Sequence, residues 1–338
     1  MSALTNLTLA LPAPVKTEDL IFLNTIPRLT TLSLAIHGTN HAVYPEAGKH
    51  LTSTHLEQRK SKVSSLTVEG DPFFIFWSTS FFCSPLLHTL IGKVPKNVQG
   101  NLVQGLLLIP HILHMVMHHN PKAQRLSIEW DGTLPGHENW SFGDARTSLP
   151  ADLYSSVTRL RNIETLSIHN VPFPEVIKHL SALPSLRTLR LVPLSSIVFG
   201  QQTRPTAADL ARIRAKFPSL RHLTILLQNI PNVPPNPPEM THPGHGLTSL
   251  FIVPASDLED ELSVSELIPL ATYLDHLFPT LSDVTSYFET RVQTEADSDT
   301  LTSWKNLNQL LKSYQNIRHQ AVQLGKSLST THGGASNS

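Results

Sequence analysis

Three segments of the chain share a nine-residue pattern: an apolar residue, proline, any residue, leucine, two residues of any type, leucine, one residue of any type and an aliphatic residue. A fourth segment begins in the same way and then departs from the pattern. Because a proline placed identically ahead of the leucines in several copies is not a chance match, the chain is interpreted as a repeat array. The four segments begin at Ile26, Leu183, Phe217 and Phe278.

The spacing of the leucines predicts a short strand in each copy. The last two leucines alternate with other residues, so both point to one face of a strand, and the proline ends any helix before it. Helix-like stretches precede several copies, at 17–24, 174–183, 205–216 and 264–277. Each repeat is therefore predicted to be a helix, a proline-bearing turn and a strand, which must stack on its neighbours to bury its apolar face. Looser copies have their central leucine at Leu7, Leu66, Leu126, Leu166 and Leu250.

This pattern predicts an α/β fold: a leucine-rich-repeat solenoid over residues 1–288, with parallel strands on the concave face and helices on the convex face. The gap between Leu66 and Leu126 is predicted to hold either one degenerate repeat around 73–90 or a long insertion, so the repeat count in 67–122 stays open. Apolar residues at three- and four-residue steps predict a C-terminal capping helix within 289–326. A Ser/Thr/Gly-rich tail at 327–338 is predicted to be disordered.

The first predicted strand, around Leu4, Leu7 and Leu9, has no capping segment ahead of it in the sequence. Repeat arrays need polar caps for solubility. Either an upstream segment has been lost from this chain or a partner covers the exposed edge, and we expect the first.

Uneven repeats of the type Leu-Pro-Ser-Leu-Arg-Thr-Leu-Arg-Leu resemble the leucine-rich-repeat half of fungal, mushroom-type F-box proteins. The stretches 266–279 and 304–318 resemble recurrent stretches near the end of such proteins. In that family an N-terminal F-box docks on the adaptor of a cullin ubiquitin ligase, and the repeats hold the substrate. The resemblance implies substrate recognition for an SCF-type ubiquitin ligase. No F-box is found in the sequence, so contact with the cullin-ligase adaptor is expected only if an F-box lies upstream.

Charge and cysteine content narrow the classes of partner. The 26 Lys and Arg residues balance 26 Asp and Glu residues, so the chain has no net basic field for nucleic acid or anionic lipid. The single cysteine, Cys83, excludes an intrachain disulfide framework and a thiolate zinc cluster. Together with the lack of a secretory signal at the start of the sequence, this predicts a cytoplasmic or nuclear protein.

Four histidines crowd one helix-like stretch, and two of them, His114 and His118, have the four-residue spacing that can chelate a metal. No carboxylate lies between Lys96 and Lys122 to complete a ligand shell. The sequence therefore predicts neither a metal nor a cofactor. The four are His111, His114, His118 and His119.

Two further segments leave alternatives open. The stretches 73–92 and 97–121 contain no Lys, Arg, Asp or Glu, so a membrane-associated scaffold that uses the uncharged 73–121 region is the alternative function. A one-sided apolar stripe from Leu102 to Val116 favours a buried helix instead. The proline-rich 230–243 segment is predicted to be a stiff spacer, with binding to SH3-like domains as its alternative.

The predicted function is protein binding through the concave face of the sheet, without catalysis. The sequence contains no nucleotide-binding glycine loop, Gly-x-Ser-x-Gly motif or metalloprotease motif, so a hydrolase without a signature is only a third alternative. The early strands present mainly serine and threonine on the concave face, whereas the later strands add arginine beside an aromatic residue, a composition favoured in binding hot spots. The predicted partner-binding residues are Arg125, His169, Arg190, His222, Leu226 and Phe251.

Overall fold

The computed structural model describes residues 4–12, 17–37, 61–95, 111–112, 114–130, 160–169, 180, 183–192, 205–227, 245–254, 263–286 and 298–332. The chain divides into two compact units, Met1–Thr203 and Arg204–Ser338. Ten strands form a parallel sheet whose strand order follows the sequence. The predicted α/β class with parallel strands is confirmed.

The strands are β1 (Asn6–Pro12), β2 (Thr31–His37), β3 (Ser65–Glu69), β4 (Thr89–Val94), β5 (Arg125–Trp130), β6 (Thr165–His169), β7 (Thr188–Val192), β8 (His222–Leu227), β9 (Ser249–Pro254) and β10 (Asp283–Ser286). The helices whose bounds the structure describes are α1 (Thr17–Asn24), α2 (Pro72–Phe82), α3 (Ala207–Lys216), α4 (Val264–Leu277) and α5 (Ser298–His332). Residues 111–112 and 114–119 are also helical.

In the first unit, β1 to β7 carry one aliphatic residue each at the same register position. Leu7 lies opposite Leu32, which lies opposite Leu66, and the series continues across the sheet. Burying a leucine contributes about 1.5–3 kcal/mol, so this stack is the main source of cohesion between adjacent strands. The other members of the stack are Leu90, Leu126, Leu166 and Leu189, all buried.

A hydrogen-bonded β-turn precedes most strands. In each turn the amide of the fourth residue donates to the carbonyl oxygen of the first, at 2.9–3.4 Å. The repeat proline occupies the second position of the turn, where its fixed φ is favourable and no amide donor is required. The structure therefore has a proline-bearing turn at the place where the sequence predicted one. These turns are Ile26–Leu29, Ser84–Leu87, Asn120–Ala123, Leu160–Ile163, Leu183–Leu186, Phe217–Leu220 and Phe278–Leu281.

A second repeated bond links neighbouring turns just before each strand begins. The carbonyl oxygen of Thr5 accepts from both the Thr30 and the Thr31 amides, at 2.8 and 3.0 Å. The same forked bond recurs in the first unit with the acceptors Thr30, Ser64, His88, Gln124 and Glu164. The residues at this position therefore form a row along one edge of the sheet, one residue from each strand.

Helix α2 explains why the repeat pattern is lost between β3 and β5. Asp71 starts the helix by accepting a hydrogen bond from the Phe74 amide at 2.9 Å, and Pro72 follows as the first helical residue. The helix packs so closely on the sheet that a Cβ on Gly92 would lie 2.7 Å from Ile128 Cδ1 and 3.0 Å from Ile75 Cγ2. A glycine therefore stands where other repeats have an aliphatic residue. Of the two predictions for this region, the structure contains the degenerate repeat, as α2 followed by β4.

In the second unit, β8, β9 and β10 align Leu223, Leu250 and Val284 in the same way, and all three are buried. Helix α5 contacts α4 and β10. Arg318 on α5 donates to both carboxylate oxygens of Asp275 on α4, at 2.9 and 2.7 Å, and to the Pro279 carbonyl oxygen at 3.2 Å. The predicted C-terminal helix is present, and it continues past the predicted boundary at 326 to His332.

Several sequence predictions fall on parts of the chain outside the described residues. These are the proline-rich 230–243 segment, most of the predicted helix at 174–183 and the tail at 333–338. The first uncharged stretch, 73–92, is divided between α2 and β4. Among the helices that the structure describes, none combines the length and the apolar character needed to cross a membrane.

Candidate partner-binding surface

Strand residues that alternate with the buried leucines form the outward face of each unit. In β1 to β3 this face carries mainly small polar side chains, and charged side chains begin at Glu69. Among the residues whose side chains the structure describes, the outward face of the first unit consists of Asn6, Thr8, Ala10, Thr31, Ser33, Ala35, Ser65, Thr67, Glu69, Thr89, Ile91, Lys93, Arg125, Ser127, Glu129, Thr165, Ser167, Thr188 and Arg190.

Glu129 joins the two predicted arginines of the first unit. Its Oε1 lies 3.2 Å from Arg125 Nη2 on the same strand and 3.8 Å from Arg190 Nη1 on β7. Arg190 is the register partner of Ser167 on β6, so its side chain extends past β6 to reach β5. The sequence predicted both arginines, and the structure brings them to one carboxylate.

Small residues lie beneath this ion-pair cluster. Ser127 and Ser167 belong to the outward face, yet their relative exposures are only 1% and 0%. The Ser127 hydroxyl donates to Glu129 at 3.4 Å, and the Ser167 hydroxyl donates to the Ile128 carbonyl oxygen at 3.3 Å. Because serine is short, long side chains from β5 and β7 have room to lie across the sheet here.

The Arg125–Glu129–Arg190 cluster contributes little to the stability of the fold, and its main effect is to place charged groups on the outward face. The side chains of Arg125 and Arg190 remain 47% and 44% exposed, and Glu129 is 28% exposed. Ion pairs with this much solvent contact contribute about 0–1 kcal/mol. The two guanidinium groups are therefore held in place while keeping donors available for a ligand.

Sequence reasoning missed the contribution of β4 to this face. Lys93 is exposed and is the register partner of both Glu69 on β3 and Glu129 on β5, while Ile91 lies half-buried beside Thr67 and Ser127. The signal was present, because the segment 84–92 has proline, leucine and leucine at the repeat spacing. It was hidden by the serine at its start and by the glycine at its end, which replace apolar residues of the pattern.

In the second unit, the predicted residues His222 and Phe251 lie on adjacent strands. His222 is exposed at the start of β8, where its register partner is Ser249. Phe251 on β9 is half-buried between its register partners Thr224 and Thr285. A phenyl ring flanked by two small polar side chains offers apolar area that a partner can cover.

The six predicted residues therefore fall into two sets, three in each unit. In the first unit, Arg125 and Arg190 converge on Glu129, and His169 lies in β6 with its side chain outside the described part of the structure. In the second unit, Leu226 lies in β8, and its side chain is likewise outside the described part.

The histidine-rich stretch places three imidazole rings together. The ring centroids of His114 and His118 are 6.1 Å apart, and those of His118 and His119 are 5.2 Å apart. Burial, with a smaller contribution from the two neighbouring rings, lowers the pKa of His119. No group of three or more His, Cys, Asp or Glu side chains in the described ranges has the arrangement of a metal site.

Cys83 follows α2 and is largely enclosed. Burial raises the pKa of its thiol to about 12, and Sγ lies 3.7 Å from the Met115 carbonyl oxygen. A nucleophilic cysteine needs its thiolate near neutral pH. This thiol is therefore a packing group.

These features define an α/β protein with a parallel sheet whose outward face displays fixed arginines in one unit and a half-buried aromatic ring in the other. Comparison with protein-family models finds no match for this chain. No curated protein matches it either.

Proposed function

We propose that the chain is a protein-binding module, built as an irregular leucine-rich-repeat solenoid whose concave surface is the outward face described above. The observation that carries this proposal is the Arg125–Glu129–Arg190 cluster, in which one carboxylate orients two half-exposed guanidinium groups. Arginine with pre-set geometry loses little side-chain entropy on binding, which is one reason why arginine is enriched in hot spots.

A protein partner fits this face better than a charged polymer. The arginines of the first unit are interspersed with Glu129 and Glu69 and accompanied by Ile91, so the face mixes charge with apolar area. Phe251 adds an aromatic group in the second unit. Interfaces between proteins combine aromatic residues and arginine in this way.

The resemblance to fungal F-box proteins with leucine-rich repeats supports a narrower version of the proposal. On that version the bound protein is a substrate for ubiquitylation, recognised in the cytoplasm or the nucleus. Contact with the ligase adaptor would then require an F-box in addition to the residues described here.

Site-specific photocrosslinking tests the proposed face. A photoreactive phenylalanine analogue is introduced in the full chain at Thr89 or Thr188, which lie on the outward face, and at Phe22, which is 56% exposed on α1. We expect the two outward-face positions, and not the Phe22 control, to crosslink the same protein. Crosslinking from Phe22 alone would contradict the proposal.

The partner identified in this way then allows a quantitative test. Arg190→Glu combined with Phe251→Ala should weaken its binding by about a thousandfold, on the order of two hot-spot contacts of about 2 kcal/mol each, with little change in the melting temperature. Lys305→Glu reverses a charge at an exposed position on α5 and is the matched control. Binding of the double variant at wild-type affinity would show that another surface holds the partner.

A further inference from the structure

The turns before β2 to β7 carry a row of exposed side chains that the proposed function does not use. One member comes from the turn region ahead of each strand, and all six are exposed. We name this set the basic turn row, and it consists of Arg28, Lys62, Leu86, Lys122, Arg161 and Arg187.

The backbone places these residues along one edge of the first unit. The forked hydrogen bonds described above link the residues just before each strand in an unbroken series from Thr5 to Arg187. Arg187 belongs to this series, and the other members of the row precede its members in the chain: Arg28, Lys62, Leu86 and Lys122 by two residues and Arg161 by three. Because adjacent strands are about 4.8 Å apart, the row from β2 to β7 spans about 24 Å.

The two ends of the strands differ in their balance of charge, and cations predominate at the amino end. Five of the six members of the row are cationic, and at this edge Glu164 is the acidic side chain among the described residues. The carboxyl ends of the strands carry Glu69, Asp71 and Glu129, with Lys93 between the two glutamates. Within the described ranges, none of the five cations of the row forms an ion pair.

The sixth member of the row adds an apolar group among the cations. Leu86 is 49% exposed and lies in the turn before β4, between the strands that follow Lys62 and Lys122. A row that served only to solvate the protein would gain nothing from an exposed leucine at this point. An apolar side chain between cations matches a ligand that has one apolar group between anions.

We propose that the basic turn row binds an extended acidic segment of a partner protein, with an apolar side chain of that segment against Leu86. At about 3.3 Å per residue, a span of about 24 Å corresponds to roughly seven residues of extended chain. The inference rests on the proposed function only in taking a protein as the partner, because it uses a different surface.

Single-stranded nucleic acid is the competing ligand for a row of cations. Proteins that bind it combine cations with aromatic side chains on which bases stack. None of the six members of the row is aromatic, and the apolar member is a leucine. The side chains therefore favour a peptide.

Fluorescence anisotropy with the full chain and synthetic probes tests the inference. The main probe is a labelled peptide of about eight aspartates and glutamates with one central leucine. A second peptide has serine in place of that leucine, and single-stranded DNA of the same length is the third probe. We expect the leucine peptide to bind most tightly, with an affinity that decreases as salt is added.

Charge reversal then locates the binding site. The triple variant Lys62→Glu, Lys122→Glu and Arg161→Glu should weaken binding of the leucine peptide about tenfold, because it replaces three attractive charges of the row with repulsive ones. The control variant Arg212→Glu, Lys305→Glu and Lys312→Glu changes the net charge equally at exposed positions outside the row and outside the outward face, and should change the affinity less than about twofold.

Three further variants keep the test decisive. Leu86→Ser should weaken the leucine peptide a few-fold and leave the serine peptide unchanged. Lys62→Gln with Lys122→Gln repeats the charge test if the triple variant does not fold. Phe251→Ala alters the outward face and should leave peptide binding intact. Loss of peptide binding in the row variants but not in Phe251→Ala therefore tests the row independently of the proposed function.

Three results would overturn the inference. The first is equal weakening by the row variant and by the control variant, which would mean that only net charge matters. The second is tighter binding of the DNA probe than of either peptide. The third is an absence of measurable peptide binding at low salt.

Discussion

Asn308 on α5 forms two hydrogen bonds with the backbone of Val284 on β10. The Val284 amide donates to Asn308 Oδ1 at 2.8 Å, and Asn308 Nδ2 donates to the Val284 carbonyl oxygen at 2.6 Å. β10 is the last strand in the order of the sheet, so one side-chain amide replaces the bonds that a further strand would make. Covered edges of this kind prevent pairing with other chains.

The Asn308→Ala variant should lower the free energy of unfolding by about 1–3 kcal/mol, because two part-buried backbone groups lose their partner. Asn306→Ala removes the same side chain from an exposed position of the same helix and should change stability by less than about 0.5 kcal/mol. Chemical denaturation followed by circular dichroism measures both. Equal effects would show that the amide does not protect the edge.

The Gly92→Ala variant should destabilise the protein by about 1–3 kcal/mol, because the new Cβ would meet Ile128 Cδ1 at 2.7 Å and Ile75 Cγ2 at 3.0 Å. Gly246→Ala is the matched control, since its Cβ would have no atom within 4 Å. The comparison uses thermal melts of both variants beside the wild-type chain. Wild-type stability of Gly92→Ala would contradict the close packing of α2 on the sheet.

The Leu189→Asp variant should lower the free energy of unfolding by more than about 3 kcal/mol, because Leu189 is fully buried and the new carboxylate would lack a partner. Thr188→Asp places the same group one residue earlier, on the outward face, and should cost less than about 1 kcal/mol. Denaturant titration of the pair measures the difference. Similar losses in both would argue against the alternation of inward and outward side chains in β7.

Stability should decrease as the pH falls below about 6.5, in part through His245. Its Nδ1 accepts from the Leu247 amide at 3.1 Å and its Nε2 donates to the Phe217 carbonyl oxygen at 2.7 Å, so the folded state holds the neutral ring. Burial lowers the pKa of His245 below its usual value of 6.5. The unfolded chain therefore binds the proton at a higher pH, and the contribution of the ring is complete above about pH 6.5 and declines toward the folded pKa.

Melting temperatures measured between pH 7.5 and pH 5.5 (about one unit on either side of the usual histidine pKa) test this contribution. His245→Gln should be less stable at neutral pH and should lose less stability on acidification than the wild-type chain. His276→Gln removes an exposed histidine from the same unit and should keep the wild-type pH dependence. An unchanged slope in His245→Gln would assign the pH dependence to other groups.

Much of the fold could be predicted from local patterns. The alternation around Leu189 and Leu223 predicted parallel strands, and the stretch 264–277 predicted α4 with the bounds that the structure has. The strand β4 was predicted only as one of two alternatives, because close packing of α2 had replaced the aliphatic residue of the repeat with Gly92. The residue pattern within one strand does not reveal a packing constraint that a neighbouring helix imposes on that strand.

The candidate surface shows the same division between local and tertiary information. The sequence by itself determined that Arg190 and Phe251 lie on the outward face, since that follows from alternation within a strand. Only the tertiary structure decided that Arg190 reaches Glu129 past Ser167, and that the turn cations from Arg28 to Arg187 share one edge. The physical reason is that strand register joins residues far apart in the chain, and register depends on how the whole stack of leucines packs.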